Sequence, residues 1–266
     1  LAFSRVLFAQ ELAPDKNTLF LAHYNTDIVP DYAKGSRSVK GFAALTSMND
    51  GYLGKALFVK DGMCIDPEGL ELPYITPVYR AKGNYSGKRG TIELRVKIVS
   101  SWDKIADSAR QNLVTLCEWK DGQEFASGYI SLISDKREYP FAKKVTFTEE
   151  TRMLKDGKLI PADQNEWTNV HNSRFHLDAD VSGWKKGEWH HIAVTWDAKK
   201  NERALFVDGL RVASGGSNFD DKQFVPRADD LMVGGLFYKS QSISCVIDEV
   251  RISDIMRYSV HFNVNR

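Results

Sequence analysis

Gly187-Glu188-Trp189-His190-His191-Ile192-Ala193-Val194-Thr195-Trp196-Asp197, followed by Ala204-Leu205-Phe206-Val207-Asp208-Gly209-Leu210-Arg211-Val212, is the stretch that decides the fold. Residues 189–196 are dense in β-branched and aromatic types and are bounded by Gly187 and Asp197, which marks a strand. Asp208-Gly209 stands between two apolar runs. This is a hairpin signal, because a type I′ turn needs positive φ at both central positions. The stretch therefore reads as three antiparallel strands in succession. Alternation puts Trp189, His191, Ala193 and Thr195 on one face of the first strand, and His190, Ile192, Val194 and Trp196 on the other. Both faces are substantially apolar, as expected for a central strand covered on both sides.

Working outward, further strands are expected at 18–25, 55–60, 90–99, 112–119, 128–134, 174–178, 230–235 and 243–253. In Thr91-Ile92-Glu93-Leu94-Arg95-Val96-Lys97-Ile98 every even position is apolar and every odd position polar. One face is read as core and the other as solvent. The helical period never persists beyond about two turns; short helices are expected only at Ala2–Ala13 and Lys104–Gln111. Runs of strands with Gly- and Asn-rich turns, and no alternating helices, predict an all-β, two-sheet antiparallel sandwich or jelly roll. The segment 135–173 carries Pro140, Pro161 and many charges, and is read as a long inserted loop. Loops of that length in compact domains are often functional. A small hairpin of its own around Lys155-Asp156-Gly157-Lys158 is the alternative.

The net charge of +1 argues against nucleic acid, whose binding draws on a clustered basic surface. The sequence holds no run of about 18 apolar residues, so no transmembrane helix is expected. Cys64, Cys117 and Cys245 are far apart, with no C-x-x-C spacing for zinc. Cys117 and Cys245 lie in apolar runs and read as small buried hydrophobes. Residues 1–9 are apolar, but a basic leader is missing and Leu7 stands where signal cleavage wants a small residue. Residues 1–17 are therefore read as an arm packing on a domain formed by 18–266. A piece cut from a longer protein would begin in the same way.

The ordered series Gly90–Val96, Gly187–Asp197, Leu205–Gly209 and Ile247–Ser253 with Arg257-Tyr258 resembles the laminin G-like, concanavalin A-like jelly roll. Gly51-Tyr52-Leu53-Gly54-Lys55-Ala56-Leu57 resembles that family's early strand. The resemblance covers roughly 18–262 and leaves out 135–173. It implies two antiparallel sheets, one concave, and binding of glycans or proteins outside the cell, at its surface or in the periplasm. It also implies, in many members, a structural calcium ion.

Strand alternation places Asp248 with Val246, Val250 and Ile252, a carboxylate on an otherwise apolar face. A buried charge needs a partner, and calcium, which takes hard oxygen ligands, or backbone N–H groups would each serve. In the resembled family the first strand lies near the last, and its turn supplies an acid. That place here reads His23-Tyr24-Asn25-Thr26-Asp27, so the calcium set implied is Asn25, Asp27 and Asp248. His190 and His191 are adjacent on a strand, point to opposite faces and cannot share one metal.

A glycosidase needs two carboxylates flanking the bond. The glucanases of the resembled fold carry Glu-x-Asp-x-(x)-Glu on one strand; the nearest match is Asp248-Glu249, adjacent and so expected to face opposite ways. Glu93-Leu94-Arg95 resembles the lyases of the fold, without their Gln-x-His segment. There is no nucleophile elbow, P-loop or dinucleotide fingerprint.

Aromatics carry the remaining signal, because sugar C–H faces stack on flat rings while hydroxyls pair with polar side chains. Trp167, in the polar run Asn165-Glu166-Trp167-Thr168-Asn169, is the first candidate, with Trp184, Tyr129 and Trp119 beside it. Trp189 and Trp196 are assigned to the core. The reading is a secreted, non-catalytic module for a polysaccharide or glycoconjugate. The alternatives are a polysaccharide hydrolase or lyase on the same fold, and a protein-binding adhesion module.

Overall fold

The computed structural model describes residues 11–40, 46–59, 76–106, 109–120, 123–135, 142–150, 154–155, 158–159, 174–216, 228–235 and 243–262. Two antiparallel sheets form the body. The nine-stranded sheet contains β1 (Thr18–Ala22), β2 (Tyr32–Ala33), β4 (Thr46–Asp50), β5 (Lys55–Val59), β7 (Arg89–Ile98), β14 (Trp189–Asp197), β15 (Glu202–Val207), β16 (Leu210–Gly215) and β18 (Cys245–Ser253). Its order is β16-β15-β14-β7-β18-β1-β2. The β4–β5 hairpin joins through β5 to the first half of β18, and β1 pairs with the second half.

The seven-stranded sheet contains β3 (Val39–Lys40), β6 (Val78–Arg80), β8 (Ala109–Lys120), β9 (Gln123–Asp135), β10 (Ala142–Glu150), β13 (Arg174–Asp180) and β17 (Asp230–Val233), in the order β13-β10-β9-β8-β17-β6-β3. A separate small pair joins β11 (Leu154–Lys155) and β12 (Lys158–Leu159). It is the hairpin weighed at residues 155–158.

One apolar core fills the space between the sheets. The large sheet contributes Phe20, Ile92, Leu94, Val96, Ile192, Val194 and Ile247; the other contributes Leu116, Ile130, Leu132, Val145, Phe147 and Leu231. Strand alternation supplies this inner layer from each strand. As expected, β14 is central, between β7 and β15, and buried on both faces from His191 onward. The β15–β16 hairpin turns at Asp208 (φ 49°) and Gly209 (φ 80°), the two positive values that the sequence required.

Three expectations are corrected. First, residues 142–150 are not loop: β10 pairs with β9 along one edge and β13 along the other. Val145 and Phe147 enter the core, and Glu149, 2% exposed, faces the same way onto buried Arg203 of β15 across the sandwich. Burial outweighs Arg203's attraction and pushes the Glu149 carboxyl up to about 7. Second, Lys104–Gln111 is not a helix. A 3-10 turn at Trp102–Lys104 leads into β8, whose pairing with β9 from Ala109 overrides the local pattern. Glu11–Ala13 are also not helical, and the rest of the Ala2–Ala13 expectation lies outside the described residues.

Third, the odd face of β7 is not solvent. Thr91, Glu93 and Arg95 are buried. Tyr258 and Phe262, from the segment after β18, pack on Ala193, Ala204 and Phe206 of the same outer face. Leu12 of the arm reaches it from the other side, donating its N–H to Glu249 and accepting from His23 Nε2. Arg257 links the two terminal segments through a bidentate pair with Asp15 at 2.8 Å.

Candidate functional site

The outer face of the seven-stranded sheet is largely polar over β8, β9, β10 and β13, and carries a small apolar cluster of Val78, Cys117 and Met232 across β6, β8 and β17. Register places Met232, Thr115, Tyr129, Thr148 and His176 in one row across β17, β8, β9, β10 and β13. The next row holds Asn112, Ser131, Thr146 and Asp178. Paired residues point to the same side, and the apolar partners between them (Ile130, Phe147, Leu177) belong to the core, so these rows face away from it.

Within this floor the side chains bond to one another. Ser131 Oγ donates to Asn112 Oδ1 at 2.7 Å, and Asn112 Nδ2 donates to Thr115 Oγ1 at 3.2 Å. Thr148 Oγ1 and His176 Nδ1 are 3.0 Å apart. Thr146 Oγ1 is buried with no partner. The Arg110 guanidinium lies 5.2 Å from the Tyr129 ring centre. One end of the sheet carries charge: Lys40 Nζ holds both oxygens of buried Asp230, with Arg80 at 3.5 Å. The floor offers hydroxyls, an amide, a phenol, an imidazole and, along β13, the exposed carboxylates of Asp178 and Asp180.

Of the four predicted ligand residues, Tyr129 alone is shown to belong to this floor. Trp119 lies on β8. Trp184 is a core residue, 8% exposed, with its ring stacked on His190 at 3.9 Å. That packing explains its indole without a ligand. Trp167 lies outside the described residues. Sequence reasoning missed the floor's hydroxyls; the alternation Lys144-Val145-Thr146-Phe147-Thr148 was the available signal.

The proposed calcium residues separate into two groups. Asp248 Oδ2 accepts the Tyr52 N–H and Oδ1 the Glu249 N–H, both at 2.8 Å. Asn25 Oδ1 accepts the Lys55 N–H, and its amide donates to Glu11. Asn25 and Asp248 thus grip the two ends of the turn between β4 and β5. Asp27 instead closes its own loop, accepting from Val29 N–H at 2.7 Å. No group of three or more metal-binding side chains gathers among the described residues. The three residues do not fit a calcium ion as a set; Asp248 has the backbone N–H partners that were the other option. Burial pushes its carboxyl up to about 7, against the bonds from Tyr52, Glu249 and Leu53.

The pairing of β18 with β7 is interrupted between Asp248 and Arg251, with Glu249 at φ 49°. This irregularity resets the alternation. Cys245 and Ile247 point inward before it, and Val250 and Ile252 after it. Asp248 therefore does not share a face with Val250 and Ile252. Glu249, expected opposite Asp248, reaches the outer face, where Arg95 Nε bonds it at 2.6 Å.

Glu93 lies on that face too, accepting from Arg251 Nε (2.7 Å) and Tyr258 Oη (2.6 Å), with His191 Nε2 at 3.2 Å. His191 and Arg251 hold its carboxyl down, to about 2, against burial. The three acids are 0–1% exposed. They are enclosed counter-ions and backbone acceptors, without an open cleft to present them to a glycosidic bond.

Trp189, assigned to the core, is instead partly exposed on the outer face, edge-on to Tyr52 with ring centres 6.0 Å apart. It stands at the first residue of β14, where the cover ends.

Residues 86–258 match the family model Laminin_G_3, described as the concanavalin A-like lectin/glucanases superfamily. The chain belongs to this superfamily. Solved structures with the superfamily chain's fold include the binding domain of Paraclostridial Mosquitocidal Protein 1, at 16% identity and TM-score 0.54 over 91% of this chain and 50% of that one. Another is the botulinum neurotoxin serotype D ligand binding domain in complex with N-acetylneuraminic acid, at 9% identity and TM-score 0.59 over 91% and 48%. The botulinum serotype G binding domain matches at 12% identity and TM-score 0.55 over 93% and 49%. The chain spans about half the length of these toxin domains. No curated protein sequence matches it. The described residues include no helix long and apolar enough to cross a membrane.

Proposed function

We propose that this chain is a non-catalytic glycan-binding module acting outside the cell, and that the glycan lies on the outer face of the seven-stranded sheet. The observation that carries the reading is the polar row that runs from Asn112, Ser131 and Thr146 to exposed Asp178, and from Thr148 to exposed His176, at the β13 edge of this face. Thr146 and Thr148 are themselves 4% and 1% exposed, so a sugar meets the row from its β13 edge, beside the unbonded Thr146 Oγ1. The complexed serotype D domain supports a saccharide on this fold.

The experiment is a polysaccharide and glycoconjugate panel run on wild type, Thr146→Val and Tyr129→Phe. Loss of one hydrogen bond weakens binding of the recognised glycan by about tenfold for Thr146→Val. Unchanged affinity in both variants overturns the assignment. Release of reducing ends or unsaturated sugars from any member of the panel would make the chain an enzyme instead.

A further inference from the structure

Trp189 begins a second arrangement, on the opposite side of the sandwich from the polar floor. Register sets Trp189 beside Lys97 of β7, Lys97 beside Val246 of β18, and Val246 beside Phe58 of β5. The Lys97 ammonium lies 4.7 Å from the Trp189 ring centre. Tyr52, from the turn before β5, meets the indole at 79°, and the Arg95 guanidinium packs 3.8 Å from the Tyr52 ring centre. Trp189, Tyr52, Phe58 and Lys97 are all partly exposed, whereas His191, Ala193 and Thr195 further along β14 are buried. The turn before Trp189 presents exposed Lys185, Lys186 and Glu188. Gly187 N–H donates to Ile98 O at 2.9 Å, which fixes this turn beside the Lys97 end of β7.

We infer that this platform binds an acidic polysaccharide, one bearing carboxylate or sulfate groups. Three aromatic side chains at one end of a sheet give flat surface for the C–H faces of sugar rings. The cations packed on Trp189 and Tyr52 hold both rings in place before any ligand arrives, which lowers the ordering cost of binding. Net charge on the chain is only +1, yet the turn carrying Lys185 and Lys186 is fixed beside the Lys97 end of β7, and Glu188, 3.8 Å from Lys185, offsets one of these three cations. A local positive field on a nearly neutral protein selects for an anionic ligand. The site shares no residue with the floor, so it stands whether or not the floor binds a glycan.

The test measures binding of heparin and of polygalacturonate, with neutral dextran and anionic phospholipid vesicles as comparisons. Trp189→Ala removes stacking without changing charge, and Lys185→Gln/Lys186→Gln removes charge from an exposed turn. Wild type binds at least one acidic polysaccharide and not dextran through this face, and added salt weakens the binding. Trp189→Ala lowers affinity about tenfold or more, the loss expected of a central aromatic contact. The double lysine variant, with melting temperature at the wild-type value, also binds more weakly. If neither variant changes binding, or if the acidic polysaccharides do not bind, the inference fails. Trp189-dependent binding of vesicles alone overturns it too, and assigns the platform to a membrane surface.

Discussion

Replacing Glu93 with Gln is the most demanding perturbation of the account of the large sheet. Its carboxylate accepts from Arg251 and Tyr258, sits 3.2 Å from His191 Nε2 and is 1% exposed. A glutamine keeps the shape but turns an amide N–H₂ toward groups that are themselves donors. Breaking a buried pair from one side costs about 3–5 kcal/mol, because Arg251 stays buried without its counter-ion. The depressed pKa gives an independent figure. From its ordinary 4.5 to about 2, at about 1.4 kcal/mol per pH unit, the ionised group contributes roughly 3 kcal/mol.

The sign follows from the direction of the shift. A carboxyl whose folded pKa is depressed contributes fully above its unfolded value and loses that contribution as pH falls through about 2. Urea unfolding of wild type and Glu93→Gln at pH 7 should differ by about 3–5 kcal/mol. The difference should narrow from pH 4.5 down to pH 2, as wild-type Glu93 takes up its proton. A difference below about 1 kcal/mol at pH 7, or one that does not narrow in acid, would refute the reasoning.

Other expectations follow from the same geometry. Asp248 titrates near 7, so its raised pKa favours the folded state most below the ordinary value. That contribution disappears as pH rises through about 7; Asp248→Asn should remove this part of the pH–stability profile measured by urea unfolding. A chelator should leave the melting temperature unchanged, because Asn25, Asp27 and Asp248 are bonded to backbone N–H groups; a drop on chelation would restore a calcium site. Gly54→Ala should destabilise by about 1–3 kcal/mol in thermal unfolding, since Gly54 has φ +77° and an added Cβ would collide with Asn25 Oδ1.

Much of the fold was legible in local pattern. The run Trp189–Trp196 announced a strand covered on both faces, and Asp208-Gly209 announced its hairpin. What local pattern could not reveal were pairings over long separations. Glu149 reads as a surface charge until Arg203, 54 residues on, is known to face it. For that reason β10, with Lys143, Lys144, Glu149 and Glu150 around a short apolar alternation, looked like loop. Thr91, Glu93 and Arg95 looked like a solvated face because Arg251, Tyr258 and Glu249 lie more than 150 residues away.

The irregularity at Glu249 carries no glycine to mark it, so plain alternation sets Asp248 and Glu249 on opposite faces where the structure has both on the outer one. The site was less legible than the fold. Of the nominated aromatics, Tyr129 is placed on the polar floor and Trp184 serves packing, whereas Trp189, assigned to the core, stands partly exposed.

Amide and side-chain NMR shift mapping with a glycan identified from the panel tests the central claim most directly. Glycan binding on the seven-stranded sheet predicts that the largest changes fall on Asn112, Tyr129, Ser131, Thr146 and Thr148, with no turnover of the sugar during the titration. Changes confined to other surfaces, or cleavage of the added glycan, would contradict it.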